Sequence, residues 1–169
     1  GIKYEDDLTT CIACTKAKAA QRAVPKTTPE SRVLNTTPGK RLYFDISYVQ
    51  TPSTAGSRYW LLVVDEATSY KWSIFMKYRH ETKLKMHELV KQIHSTGYKV
   101  NYLRCDNSGE NVDLQKLFVD KYPEIKFEFT APHTPQQNGV VERAIATIYN
   151  RVRAMFANAN MDETIRKTL

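Results

Sequence analysis

RLYFDISYVQTPSTAGSRYWLLVVDEATSYKWSIFMK, residues 41–77, is the stretch whose reading decides the fold. Leu42, Phe44, Ile46 and Tyr48 alternate with Tyr43, Asp45 and Ser47, the period of two that marks a strand. TPSTAGS is the turn after it. RYWLLVVDEA is a nearly continuous apolar run with β-branched and aromatic members, which reads as a central strand. SYKWSIFMK then alternates Tyr70, Trp72, Ile74 and Met76 and gives the third strand of a meander.

Downstream the period changes. In HETKLKMHELVKQIHSTG, Met86, Leu89, Val90 and Ile93 fall at i, i+3, i+4 and i+7, so a helix is expected, with Gly97 as its stop. YKVNYLRCD reads as a fourth strand, NVDLQKLFVDKY as a short helix and IKFEF as a fifth strand. A long helix follows, from about Pro135 or Asn138 to Ala157, with Val141, Ile145, Ile148, Val152 and Met155 as its buried stripe. Three hairpin-linked strands and then strands alternating with helices predict an α/β fold: a mixed sheet with helices packed on it. Upstream, residues 1–39 are rich in proline, threonine and small polar residues; they read as a short head, Cys11 to Arg22, and a linker ending near Pro38-Gly39.

The whole chain, 169 residues with net charge +7 and pI near 9.3, is long enough for one proper core, and its basic balance suggests a polyanionic partner such as nucleic acid. No apolar run approaches a membrane span, and no N-terminal basic-then-apolar signal is present, so the chain reads as soluble and intracellular. Three cysteines do not make an even disulfide framework, which points to a reducing compartment.

Two aspartates sit oddly for core strands. Asp45 interrupts the first strand, and Asp106 ends the fourth in YLRCDNSGEN. Burying a carboxylate without a partner is costly. Were these strands neighbours, side chains at equal height would stand about 5 Å apart and repel unless something positive lay between them. A divalent metal is the economical solution, and hard oxygen ligands favour magnesium or manganese. Glu142, on the first turns of the last helix, is the third acid, with thirty-five residues between it and Asp106. Taken singly, each acid has a plainer reading: a strand-end aspartate as a cap, a helix-start glutamate complementing the dipole.

Other residues keep two readings. Thr134-Pro135-Gln136-Gln137 fits a capping box with proline at the first helical position. Arg143, Arg151 and Arg153 lie off the apolar stripe, where they meet either phosphates or solvent. Asp65 and Glu66 end a strand at a hairpin, where exposed acids are usual, and Glu110 reads as a helix-start residue near Asp106. Cys105 reads as a small buried apolar residue. Cys11-Ile12-Ala13-Cys14 is a C-x2-C, but zinc needs four ligands, and no histidine precedes Cys11.

Asp45, Asp106 and Glu142 at this spacing resemble the D,D-35-E triad of retroviral-type integrases. The surrounding words resemble those of copia-type LTR retrotransposon integrases: VVDEATSYKWSIF, RCDNSGEN and APHTPQQNGVVER, the last two matching R-x-D-N-G-x-E-F and P-x-T-P-Q-Q-N-G-x-x-E-R. The likeness covers roughly residues 40–157 and departs at Asn111, where the family has an aromatic after the glutamate; a change of packing without loss of chemistry is expected there.

The resemblance implies an RNase H-like fold, a five-stranded mixed sheet of a three-strand antiparallel meander plus two parallel strands, flanked by helices. It makes residues 40–169 the catalytic core and residues 1–39 the remnant of an N-terminal zinc module and its linker. It implies DNA strand transfer, with 3′-end processing a further possibility, inserting element DNA into host DNA through two Mg²⁺ or Mn²⁺ ions held by Asp45, Asp106 and Glu142. Gln136, Gln137 and Asn138 would offer amides to a DNA end, and Cys11 and Cys14 would bind zinc only in a complete module. The implied partners are element and target DNA and a second copy of the core, with no membrane and no small-molecule substrate. The implied location is a cytoplasmic virus-like particle and then the nucleus. The rival readings are an RNase H-type nuclease and a domesticated DNA- or protein-binding module without catalysis.

Overall fold

The computed structural model describes residues 36–130 and 138–158. The described elements are β1 (Arg41–Tyr48), β2 (Tyr59–Asp65), β3 (Lys71–Met76), α1 (Thr82–Ser95), β4 (Tyr102–Cys105), α2 (Gly109–Lys121), β5 (Lys126–Phe129) and α3 (Gly139–Asn158), with a 3-10 turn at Arg79–Glu81 leading into α1. This is the order expected from the periodicities. The strands lie side by side as β3-β2-β1-β4-β5. The pairs β1–β2 and β2–β3 are antiparallel, whereas β1–β4 and β4–β5 are parallel. Among the described residues, no helix is long and apolar enough to cross a membrane.

The centre of the sheet is β1, not the more apolar β2. Leu42, Tyr43 and Phe44 are each fully buried, so the alternation along β1 separates two packed faces rather than a dry face from a wet one. Protection thins along the strand: Asp45, Ile46 and Ser47 are half-buried and Tyr48 is exposed.

On one face, Leu42, Phe44, Leu61, Val63, Leu103 and Cys105 meet Met86, Leu89, Val90 and Ile93 of α1 and Leu114 and Phe118 of α2. These are the apolar positions that the helical spacing selects in α1. Gly97, with φ +89°, ends α1 as expected, its amide donating to the His94 carbonyl at 3.0 Å.

The opposite face carries a smaller cluster of Tyr43, Trp60, Leu62 and Val64, closed by Val141 of α3. Only the first part of the expected α3 stripe is sealed. Ile145, Ile148 and Val152 are half-buried, and Met155 is 71% exposed, against the expectation that it packs inward. Phe156 is half-buried in its place. The reason is geometric: β1 and β2 meet at Tyr48↔Tyr59, and α3 is twenty residues long, so its last turns have little strand beneath them.

Candidate active site

The register of the sheet sets the site. In the parallel pair β1–β4, Arg41 lies across from Tyr102, Leu42 from Leu103 and Tyr43 from Arg104. Each partner is sixty-one residues downstream, and so is Asp106 from Asp45. Continued two residues past the last pair, that register would set Asp106, one residue beyond β4, level with Asp45 on the neighbouring strand. Because side chains alternate, both stand on the face that α3 crosses, with Tyr43 and Arg104.

Asp45 is half-buried, and its Oδ1 accepts the Ile46 amide at 2.8 Å. Burial pushes its carboxyl up to about 6; the Ile46 amide works the other way, and the charges of Asp106 and Glu142 add to the rise. The Arg79 guanidinium opposes that rise. The three acids thus share one electrostatic neighbourhood. Asp106, exposed just past the end of β4, has its Oδ1 and its main-chain oxygen held by the buried amide of Asn111, at 2.5 and 3.1 Å. Glu142 is exposed on the first turn of α3, beside the fully buried Val141. One turn-pair further along that helix, Tyr149 hydroxyl and Ser47 Oγ meet at 3.0 Å, tying α3 to the strand that carries Asp45.

Among the described residues, no group of three or more His, Cys, Asp or Glu side chains is arranged to hold a metal ion. The charges of Asp106 and Glu142 both reach Asp45, but the three acids do not form a three-ligand cage among the described residues. By chemistry the donor set fits a hard divalent cation: three carboxylates, with the remaining oxygen of Asp45 and of Asp106 lacking a hydrogen-bond partner among the described residues.

Other expected positions divide. Arg143, Arg151 and Arg153 are all exposed. Asn138, expected to offer its amide to DNA, is instead 3% exposed; its carbonyl accepts the Val141 and Glu142 amides at 3.1 and 3.3 Å, so it serves as the cap of α3. Gln136, Gln137, Cys11 and Cys14 lie outside the described residues, as does the Thr134–Gln137 box. Glu110 begins α2 as expected and pairs with Arg79 at 3.2 Å. Cys105 is fully buried, and burial pushes its thiol up, so it behaves as an inert apolar residue.

The expectation of exposure at Asp65 and Glu66 is overturned. Asp65 is 2% exposed and accepts the Gly39 amide at 2.9 Å and the Thr68 amide and hydroxyl at 3.0 and 2.6 Å. Glu66 accepts from Arg41 at 3.1 Å and from the Tyr43 hydroxyl at 2.6 Å. Arg41 also reaches Glu128 at 2.9 Å, which lies 3.6 Å from Arg104. The hairpin reading missed this network because its partners are distant in sequence. Asn111 was missed too, although a polar residue at an aromatic position was the available signal.

The sheet order, the parallel β1–β4–β5 half and the flanking helices define an RNase H-like fold. A chain of the simian T-cell lymphotropic virus intasome, solved by cryo-electron microscopy in complex with PP2A regulatory subunit B56 gamma, matches it with a TM-score of 0.58 at 17% identity, covering 76% of this chain and 45% of that one. No family model matches the chain. In sequence it is 32% identical over 119 residues to the retrovirus-related Pol polyprotein from transposon TNT 1-94 of Nicotiana tabacum, a match covering 69% of this chain. It is 26% identical over 138 and 137 residues to the corresponding polyproteins from transposons RE1 and RE2 of Arabidopsis thaliana. The chain is thus a homologue of retrovirus-related Pol polyproteins of plant transposons, and the matches span 9% of each polyprotein's length.

Proposed function

We propose that the chain is the catalytic core of a copia-type retrotransposon integrase that joins element DNA to host DNA. The observation that carries this reading is the parallel pairing of β1 with β4, the strands that lead to Asp45 and Asp106, with the charges of Asp106 and Glu142 felt at Asp45. Asp45, Asp106 and Glu142 would hold Mg²⁺ or Mn²⁺. When bound, such ions supply activation of an attacking hydroxyl or water and charge stabilisation of the leaving oxygen. The chain's own part is to level two carboxylates on adjacent strands, bring a third on α3, and keep the inert Cys105 away from the chemistry. Arg143, Arg151 and Arg153 are exposed on α3, and in this reading they meet phosphates. A basic chain, net +7, favours DNA as partner, and assembly with further copies of the core belongs to the same reading. The Cys11–Cys14 pair would act in zinc binding only with upstream histidines.

A second reading, a DNA-binding module without catalysis, is favoured by one observation: the three acids are not arranged as a closed cage. Strand transfer on a branched oligonucleotide separates the two. Activity requiring Mg²⁺ or Mn²⁺ is expected in the parent, with Asp106→Asn losing at least about 100-fold, more than typical losses of outer-shell partners. Metal-free turnover, or an Asp106→Asn protein as active as the parent, would refute the mechanism; DNA binding without turnover would favour the second reading.

A further inference from the structure

We propose that Asn111 is a positioning residue for Asp106: its buried amide fixes one oxygen of that carboxylate and leaves the other for a cation. This rests on the metal-binding reading above. Asp106 needs such a device, because it is exposed and lies one residue beyond β4, outside the strand ladder. Asn111 reaches back five residues and grips both its main-chain oxygen and Oδ1, at 3.1 and 2.5 Å.

The placement of Asn111 argues against a mere packing role. The buried residues of α2 are Asn111, Leu114 and Phe118, at i, i+3 and i+7, so position 111 belongs to the helix's inward stripe. An apolar side chain is what stability asks for there. Asn111 is 3% exposed, and its Oδ1 is buried without a hydrogen-bond partner, an arrangement that costs rather than stabilises. What the residue gives in return is the pair of bonds to Asp106. In the resembling family's pattern this position is aromatic, so the grip is this chain's own, and removing it leaves nothing in its place.

Stability and cation binding should therefore move in opposite directions. The full chain and its Asn111→Leu and Asp106→Asn variants are titrated with Mn²⁺, bound metal being read by electron paramagnetic resonance and metal-free stability by thermal unfolding. Asn111→Leu is expected to bind Mn²⁺ about tenfold more weakly, the lower end of outer-shell effects, while its metal-free Tm is unchanged or higher. Unchanged Mn²⁺ affinity in Asn111→Leu, beside a parent that binds and an Asp106→Asn protein that does not, overturns the positioning role and leaves the metal reading standing. A parent that binds no Mn²⁺ overturns both. Independently of metal, the Asn111 side-chain amide should exchange its protons more slowly by NMR in the parent than in Asp106→Ala, which loses the bond to Oδ1 and keeps the one to the main-chain oxygen. Equal exchange in the two proteins would refute the grip itself.

Discussion

Two acidic pairs stand on the same sheet, and they are solvated in opposite ways. Asp65 and Glu66 close the end of β2, and each oxygen that matters has a partner: three donors for Asp65, and Arg41 and Tyr43 for Glu66. Asp45 on β1 and Asp106 just past β4 have one amide apiece, and Asp45 bears the charge of Asp106 as well. The first pair is deeply buried and met by donors, whereas at Asp45 burial pushes the carboxyl up to about 6, and the charges of Asp106 and Glu142 add to the rise. Depth alone does not mark a reactive acid. Asp65 and Glu66 are met by several donors to their charged form, whereas Asp45 has one backbone amide to set against its burial. A surplus of negative charge in a half-open site is what a cation would relieve.

That contrast breaks first at Asp65. Asp65→Ala would leave the Gly39 and Thr68 donors without their acceptor in a buried turn, and a loss of about 3 kcal/mol of stability is expected. Urea unfolding measures it. A loss below about 1 kcal/mol would mean that water replaces the carboxylate and that the satisfied pair is not structural. Metal binding, by contrast, should be retained in this variant once it is folded.

The elements were legible in the sequence because each period matches how side chains divide between faces: two in β1, whose alternate residues pack on opposite faces, and i, i+3, i+4, i+7 in the buried stripe of α1. Motif words and spacing also singled out Asp45, Asp106 and Glu142 as candidates, and the charges of the last two are felt at the first. What the sequence hid was set by tertiary register. That β1 rather than β2 is central depends on a parallel partner, β4, which local periodicity does not specify. Asp65 looked exposed because the residues that bury it, Gly39 and its neighbours, come from far upstream. Met155 matched the helical stripe, but the strands beneath α3 run out before it. Asn111 showed as a departure from a pattern, and only its bonds to Asp106 give the departure a cause.

The second test takes charge away from the strained pair. Asp45 binds its proton more tightly folded than unfolded, its carboxyl rising to about 6 from an ordinary value near 4. Its contribution is therefore fully present below about pH 4 and is lost as the pH rises through about 6. Ionisation of Asp45 at neutral pH then costs at most about 3 kcal/mol, and about 1–2 kcal/mol once the site's openness to water is allowed for. Asp45→Asn should stabilise the metal-free protein by that amount at pH 7.5 and leave it nearly unchanged at pH 3.5. Chemical unfolding at the two pH values measures both arms. Equal effects at both would show that shape, not charge, governs position 45.

The smallest effect expected is at Arg79, the cation that opposes the rise at Asp45. It is the weakest of the influences on that carboxyl, and its side chain is already engaged with Glu110 in a solvent-exposed pair. Arg79→Gln should therefore raise the Asp45 carboxyl further, by less than about one pH unit, followed by carboxyl ¹³C NMR in the metal-free protein. Stability should change by less than about 1 kcal/mol, because an exposed ion pair contributes little. The direction matters more than the size. A fall at Asp45 would mean that Arg79 acts through Glu110, whose freed charge moves away from the site, and the imbalance around Asp45 would then owe less to a shortage of positive charge than to burial alone.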